Sequence, residues 1–227
     1  MARLQMQQRD FVSAEKHAAK AVEYSPDNKF FKELYVRLLV GNQKIKKAEE
    51  VYNNLIAQYP NNEEYLYNFA LLYLRNNELD KALQQFKQIE EKTGFNEDIQ
   101  LYKRSIFIKQ GKIESAVQEI EKMKVLDIGN AKYDLQIADI YDSTQDTLQR
   151  NKIFERIRLQ YPGDPLAEVA LAKYYQEQGD TVSFFDFMLK VMANKNLDAD
   201  SKIALLLPTL KNIDTDSSRR QEIIQMA

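Results

Sequence analysis

Cysteine and tryptophan are absent from this chain of 227 residues, and histidine occurs once, as His17. Without cysteine there are no disulfides, thiolate metal sites, iron–sulfur clusters or cysteine nucleophiles, although a chain of this kind suits either redox compartment. One imidazole leaves little material for metal ligation or acid–base chemistry. Neither sign of charge dominates: 32 Lys and Arg face 34 Asp and Glu, for a net charge of −2 and a pI near 5.7. A chain with no basic excess lacks the electrostatic footprint of a nucleic-acid binder, so nucleic acid is not an expected partner. No apolar run approaches bilayer length and no leader with a cleavage site is evident, which predicts a soluble cytoplasmic or periplasmic protein with no membrane insertion. Nucleophile elbows, Walker loops, dinucleotide fingerprints and HExxH motifs are missing too, and pairs such as Glu49 and Glu50 read as ordinary helix surface. The expectation is therefore binding rather than catalysis, with no cofactor and no metal.

Glycine and proline are scarce, at six and five, and the remainder is rich in Gln, Glu, Lys, Leu and Ala, all good helix formers. In the stretch EYLYNFALLYLRNN, Leu66, Phe69, Ala70 and Tyr73 fall at i, i+3, i+4 and i+7 on one helical face. No stretch alternates as a strand would, so the chain reads as all-α. Ala14, Ala48, Ala82 and Ala116 are each 34 residues apart, and Pro26, Pro60 and Pro162 lie on the same ruler, with Gly94 and Ile128 in the skipped places.

On these residues the chain resembles the tetratricopeptide repeat family, whose 34-residue pattern is W-x2-L-G-x2-Y, then A-x3-F, then P. Residues 63–96 carry it best, through Leu66, Phe69, Ala70 and Tyr73, then Ala82 and Phe86, with Gly94 in the proline slot. Ile137, Ala138, Tyr141, Phe154 and Pro162 repeat the outline, followed by Leu171, Ala172, Tyr175 and Gly179. The resemblance implies a right-handed superhelical solenoid of antiparallel helix pairs over the whole chain. Its repeats are a partial copy at about 1–28, then 29–62, 63–96, 97–130, 131–164 and 165–198, and a second partial copy at 199–227. Small residues at the eighth and twentieth positions let paired helices approach, and Tyr52, Phe86 and Phe154 fill the space behind. All six glycines, Gly41 included, are expected at turns, and Pro165 in a first helical turn.

Departures from the pattern set local expectations. In 97–130 the first helix fits better shifted by one, with Leu101, Ser105 and Ile108 as packing residues and a shortened turn before Ala116. Arg150 and Phe184 replace the small residue at the twentieth position, which predicts splayed pairs or displaced second helices. Pro208 breaks the helix expected around 203–210, and a second helix begins with TDSSRRQEIIQM, where Arg219 and Arg220 read as a solvated pair. The chain opens inside a first helix and ends without a polar cap, as a fragment of a longer protein would. Lys outnumbers Arg by 22 to 10, a weak sign of a bacterial source.

The family's first helices line a concave face, where the second, fifth, ninth and twelfth positions meet a ligand. Carried onto this chain, those positions give a groove of Tyr67, Leu71 and Leu74, then Tyr102, Ile106 and Lys109 in the shifted register, then Leu135, Asp139, Asp142 and Lys173. Its centre is Tyr67, Leu71, Tyr102 and Leu135. The fifth positions hold Glu33, Tyr67, Leu101 or Tyr102, Leu135 and Val169, with no lysine, which argues against the clamp that related co-chaperones use for a terminal carboxylate. The implied function is a non-catalytic scaffold binding a peptide or protein segment through apolar anchors. The alternative is a structural or oligomerisation module whose unfinished ends associate. Asp139, Asp142 and Asp146 share one helix edge and read as solvated carboxylates, since oxygen-ligated cation sites usually draw on a loop.

Overall fold

The computed structural model describes residues 1–2, 10–125, 129–200 and 202–204, and among them the only regular elements are helices. Ile128, Pro208, Arg219, Arg220 and the helices expected beyond residue 204 lie outside the described residues. The chain divides into two compact units, Met1–Gly111 and Lys112–Ala227. The first contains α1 (Phe11–Tyr24), α2 (Lys29–Gly41), α3 (Ile45–Gln58), α4 (Glu63–Arg75), α5 (Leu79–Thr93) and α6 (Glu97–Lys109). The second contains α7 (Ile113–Lys124), α8 (Lys132–Ser143), α9 (Thr147–Gln160), α10 (Pro165–Gln178) and α11 (Thr181–Ala193). Second helices α1, α3, α5, α7, α9 and α11 begin at 11, 45, 79, 113, 147 and 181, so the 34-residue spacing of the alanines is a spacing of helices.

Three kinds of residue keep that spacing, each for its own reason. Asn28, Asn62, Asn96, Asn130 and Asp164 precede the first helices, and each side-chain oxygen accepts an amide N–H of the opening turn. Such caps satisfy donors that have no partner inside the helix. The sharp turn between paired helices places Gln43, Asn77, Gly111, Gln145 and Gly179 at positive φ, from 58° to 71°. This corrects the assignment of Gly41, which ends α2 in ordinary helical geometry, two residues before the left-handed position. Ala14, Ala48, Ala82 and Ala116 are completely buried, so the close approach that a methyl side chain permits is used in all four second helices.

In the first unit the core runs from Val36 to Ile106, with Tyr52 stacked on Phe69 at 5.2 Å and Phe69 tilted against Tyr73 at 4.5 Å. In the second, Ile157, Tyr161, Ala167 and Leu171 form one cluster, and Phe184, Phe185, Met188 and Val191 another with Ala172. Phe184 does not open its pair: α10 and α11 pack as closely as α4 and α5, because the facing residue Ala172 leaves room for the ring. Arg150 is largely enclosed, its side chain 13% exposed, with its guanidinium against the carboxylates of Asp142 and Glu177 and over the Tyr174 ring.

The register expected for 97–130 is wrong by one residue. Ile99, Gln100, Lys103 and Ile106 are buried in α6, whereas Ser105 and Ile108 are exposed and Leu101 is half-buried. Those four occupy the third, fourth, seventh and tenth positions, as Tyr65, Leu66, Phe69 and Leu72 do in α4, and the turn through Gly111 keeps its usual length. Seeking apolar residues for every packing slot produced the error, because α6 fills two of them with Gln100 and Lys103. Glu90 compensates both, accepting from Gln100 Nε2 at 2.7 Å and from Lys103 Nζ at 2.7 Å.

Candidate functional site

The first unit holds a groove of about 470 Å³ between the first helices α2 and α4. Val36, Val40, Leu71 and Leu72 supply apolar walls, while Tyr52 and Leu55 of the second helix α3 also line it. Glu33 and Arg37 come from α2, and Glu64, Asn68 and Arg75 from α4. The arrangement follows from the repeat: paired first helices stand side by side, and the second helix packed behind them closes the bottom.

The polar groups here differ in how far they are engaged. Glu33 accepts a hydrogen bond from the Tyr65 hydroxyl at 2.6 Å, and burial together with this carboxylate raises the Tyr65 pKa. Tyr52 is only 7% exposed, and burial raises its pKa while the nearby Arg37 and Arg75 charges act in the opposite direction. Among the described residues, the Tyr52 hydroxyl and the guanidinium groups of Arg37 and Arg75 have no hydrogen-bond or ion-pair partner. Arg37, Asn68 and Tyr52 were absent from the residues expected to meet a ligand. Their signal in the sequence is weak: an arginine at a ninth position and another just past the twelfth, on consecutive first helices.

Of the expected groove residues, Leu71 lines this groove. Tyr67 and Tyr102 are brought together beside it in the repeat: the Tyr67 hydroxyl donates to Tyr102 Oη at 3.1 Å, and the Tyr102 ring stacks on Phe86 at 5.0 Å. That hydrogen bond and burial push the Tyr67 phenol up to about 12. Leu74 packs half-buried against the same core, and Lys109 is exposed at the end of α6. Ile106 is wholly buried and meets no solvent, a correction that follows directly from the restored register of α6.

In the second unit Leu135 packs against the cluster of Ile157 and Tyr161, and Asp139, Asp142 and Lys173 are exposed. Two of the three carboxylates of the α8 edge have separate tasks, Asp142 pairing with Arg150 and Asp146 capping α9 by accepting from the Gln149 amide at 3.0 Å, while burial, with the Asp142 charge, raises the Asp139 pKa. Among the described residues no cluster of three or more His, Asp or Glu side chains is arranged to hold a metal ion. His17 is exposed on α1, its Nδ1 2.9 Å from the Ser13 carbonyl oxygen. No described helix is long and apolar enough to cross a membrane.

A buried polar centre in the second unit was not anticipated. Asp134, fully enclosed on α8, accepts from Lys124 Nζ at 2.8 Å, from the Tyr161 hydroxyl at 2.7 Å and from Arg156, which also reaches Glu121 at 3.0 Å. Burial acts to lower the Lys124 pKa, but hydrogen bonds to Asp134 and Tyr161 outweigh it and hold the ammonium above its ordinary value. The spacing was available to read: Lys32, Gln100, Asp134 and Glu168, with Leu66 between the first two, occupy one position of the 34-residue period, and all five are buried. Each polar member has a partner on a second helix or just after one: Asn54 and Gln58 for Lys32, Glu90 for Gln100, Lys124 for Asp134 and Asn194 for Glu168. They tie helices together, a structural use of polarity rather than a catalytic one.

The model of the tetratricopeptide repeat family matches residues 5–67 and again 42–105. Among solved structures, MamA from Desulfovibrio magneticus RS-1 is similar at 12% identity and a TM-score of 0.50, over 68% of this chain and 88% of that one. A tetratricopeptide repeat protein from Parabacteroides merdae is similar at 18% identity and a TM-score of 0.49, over 92% of this chain and 81% of that one. No curated protein sequence is significantly similar to the chain.

Proposed function

We propose that this chain, a tetratricopeptide repeat protein, is a non-catalytic scaffold that holds a segment of another protein in the groove between α2 and α4. The observation that supports this reading is the groove itself, an apolar strip of Val36, Val40 and Leu71 bordered by charged and amide groups. Such a surface suits a peptide, whose apolar side chains supply affinity while its polar groups set orientation. The expected groove residues Tyr67 and Tyr102 serve here as support: their mutual hydrogen bond and stacking on Phe86 fix the face of α4 that carries Leu71.

The test is affinity capture from a lysate of the source organism with the wild-type chain and a Val40→Asp, Leu71→Asp variant matched in helicity by circular dichroism. A partner held by the wild type and lost by the variant supports the reading. A partner held equally by both places the site elsewhere, and capture of no protein at all removes the scaffold function.

Self-association remains the second reading, favoured by one observation. Tyr24 and Phe30, at the junction of α1 and α2, are 87% and 63% exposed. Aromatic side chains so placed mark contact surfaces when they cluster. Light scattering over a concentration series, repeated on Tyr24→Ser, Phe30→Ser, separates the two: self-association that the variant abolishes supports the structural module.

A further inference from the structure

We propose that two copies of this chain associate through the exposed stripe of α9, the two helices lying antiparallel about a two-fold axis. The surface shares no residue with the groove between α2 and α4, so this inference goes beyond the scaffold reading and does not depend on it. In α9 the apolar side chains lie on two sides. Ile153, Phe154 and Ile157 pack into the core, whereas Leu148 and Leu159 are 65% and 70% exposed. Lys152 and Glu155 are exposed between those leucines and complete a row at i, i+4, i+7 and i+11. A row with that spacing runs almost along the helix axis and is the seam by which two helices pack at a shallow angle.

The order of side chains in the row selects its occupant. Read in reverse, Leu148, Lys152, Glu155 and Leu159 become leucine, glutamate, lysine and leucine. An antiparallel second copy therefore sets Leu148 against Leu159 and Lys152 against Glu155, and the two-fold axis makes each pairing occur twice. The row is centred between Ile153 and Phe154, and so is α9 itself, so the two helices overlap along their whole length. Lys152 has no carboxylate partner among the described residues, and Glu155 accepts from Arg158 through Oε2 alone, at 2.8 Å, so both charges have capacity for the pairing. The equivalent rows of other second helices lack this self-match. In α5 the row is Asp80, Gln84, Lys87 and Glu91, which would set Asp80 against Glu91. In α3 it is Lys46, Glu50, Asn53 and Ala57, without apolar ends, and in α11 Asp186 would meet Leu189. A face that is solvated and charged in α3 and α5 is in α9 apolar at its ends and complementary to itself at its centre.

Sedimentation equilibrium of the full chain, taken to about 1 mM, tests the proposal. One helix against its twin is a small interface, so a reversible dimer with a dissociation constant between about 10 μM and 1 mM is expected. Leu148→Asp, Leu159→Asp, matched in helicity by circular dichroism, should weaken it at least about tenfold. Lys152→Glu and Glu155→Lys, each alone, set like charges against each other in both pairings and should weaken it about fivefold at low salt. An equimolar mixture of those two variants restores opposite charges and should dimerise as the wild type does, a recovery that a contact of any other register does not give. Tyr24→Ser, Phe30→Ser should leave the dimer unchanged. A monomer at every concentration, a dimer that survives the leucine substitutions, no recovery on mixing the charge variants, or loss of the dimer in Tyr24→Ser, Phe30→Ser overturns the proposal. The scaffold reading is judged separately, by capture with Val40→Asp, Leu71→Asp, and stands or falls independently of these results.

Discussion

Helices α4 and α6 occupy equivalent places in successive repeats and bury the same third, fourth, seventh and tenth positions, but with opposite chemistry. In α4 these are Tyr65, Leu66, Phe69 and Leu72; in α6 they are Ile99, Gln100, Lys103 and Ile106. The backbone geometry of the pair decides which positions are enclosed, and the side chains then have to be made compatible with enclosure. Phe69 does so by stacking between Tyr52 and Tyr73, Lys103 by reaching Glu90. The groove lies beside the first kind of helix, where charged groups such as Arg37 and Arg75 are exposed at its rim.

The largest expected effect is on the apolar side of this comparison. Phe69→Ala should destabilise the chain by about 3–5 kcal/mol, through lost burial and the cavity left between Tyr52 and Tyr73. On the polar side the effect depends on which partner is removed. Glu90→Ala takes from the Lys103 ammonium, 2% exposed, its carboxylate partner at 2.7 Å, leaving the neutral Gln100 Oε1 at 3.3 Å, and should cost about 3 kcal/mol, whereas Glu90→Leu combined with Lys103→Met should recover most of that loss. Urea denaturation of the three variants checks both expectations. If Glu90→Ala proves as mild as the double variant, the buried ion pair is not what makes α6 equivalent to α4.

A second contrast is in the response to alkali. Tyr67 and Tyr73 are pushed up to about 12, Tyr67 first by its hydrogen bond to Tyr102 and Tyr73 first by burial, with Glu49 adding to it. A phenol whose folded pKa is raised favours the folded state below its unfolded value, near 10, and that contribution is lost as pH rises from there through about 12. Stability should therefore fall between about pH 10 and pH 12, and less steeply in Tyr67→Phe. Thermal melts across that range, with wild type and variant compared at each pH, measure the difference, and an unchanged slope in the variant removes the Tyr67–Tyr102 bond as a contributor.

Much of this fold was legible because its rulers are made of unusual choices. Alanines at a fixed spacing and prolines at the same spacing are improbable by accident, and they placed the second helices correctly. The capping asparagines and the polar positions from Lys32 to Glu168 keep the same period, but a search directed at apolar periodicity passes over them. That bias displaced α6 by one residue and put Ile106 on a surface it does not reach. The groove was read less well than the fold for a related reason. Aromatic residues at ligand-facing positions attract attention, yet Tyr67 and Tyr102 satisfy each other, and the polar groups that line the groove without a hydrogen-bond partner among the described residues include Tyr52, Arg37 and Arg75, from three different helices. No spacing rule within one helix identifies such a set; it becomes visible only when the hydrogen bonds of every polar group have been assigned.

The smallest predicted effect concerns the turn that joins paired helices. Gly111 and Gly179 occupy the left-handed position without a side-chain penalty, while Gln43 and Gln145 occupy it at φ 58° and 59° with one. A side chain there crowds the following carbonyl, at a cost of about 1–2 kcal/mol relative to glycine, part of which is offset by glycine's greater freedom in the unfolded chain. Gln43→Gly and Gln145→Gly should each stabilise by about 0.5–1 kcal/mol, and Gly111→Gln should destabilise by a similar amount. Because a Cβ at Gly111 meets nothing within 4 Å, any loss in that variant comes from backbone conformation and not from a clash. Chemical denaturation of the three variants would decide it. Opposite signs for the two directions of exchange make backbone geometry the common property of the repeats, whatever side chain each carries. Equal signs would mean that the glutamines contribute something at those turns that glycine cannot replace.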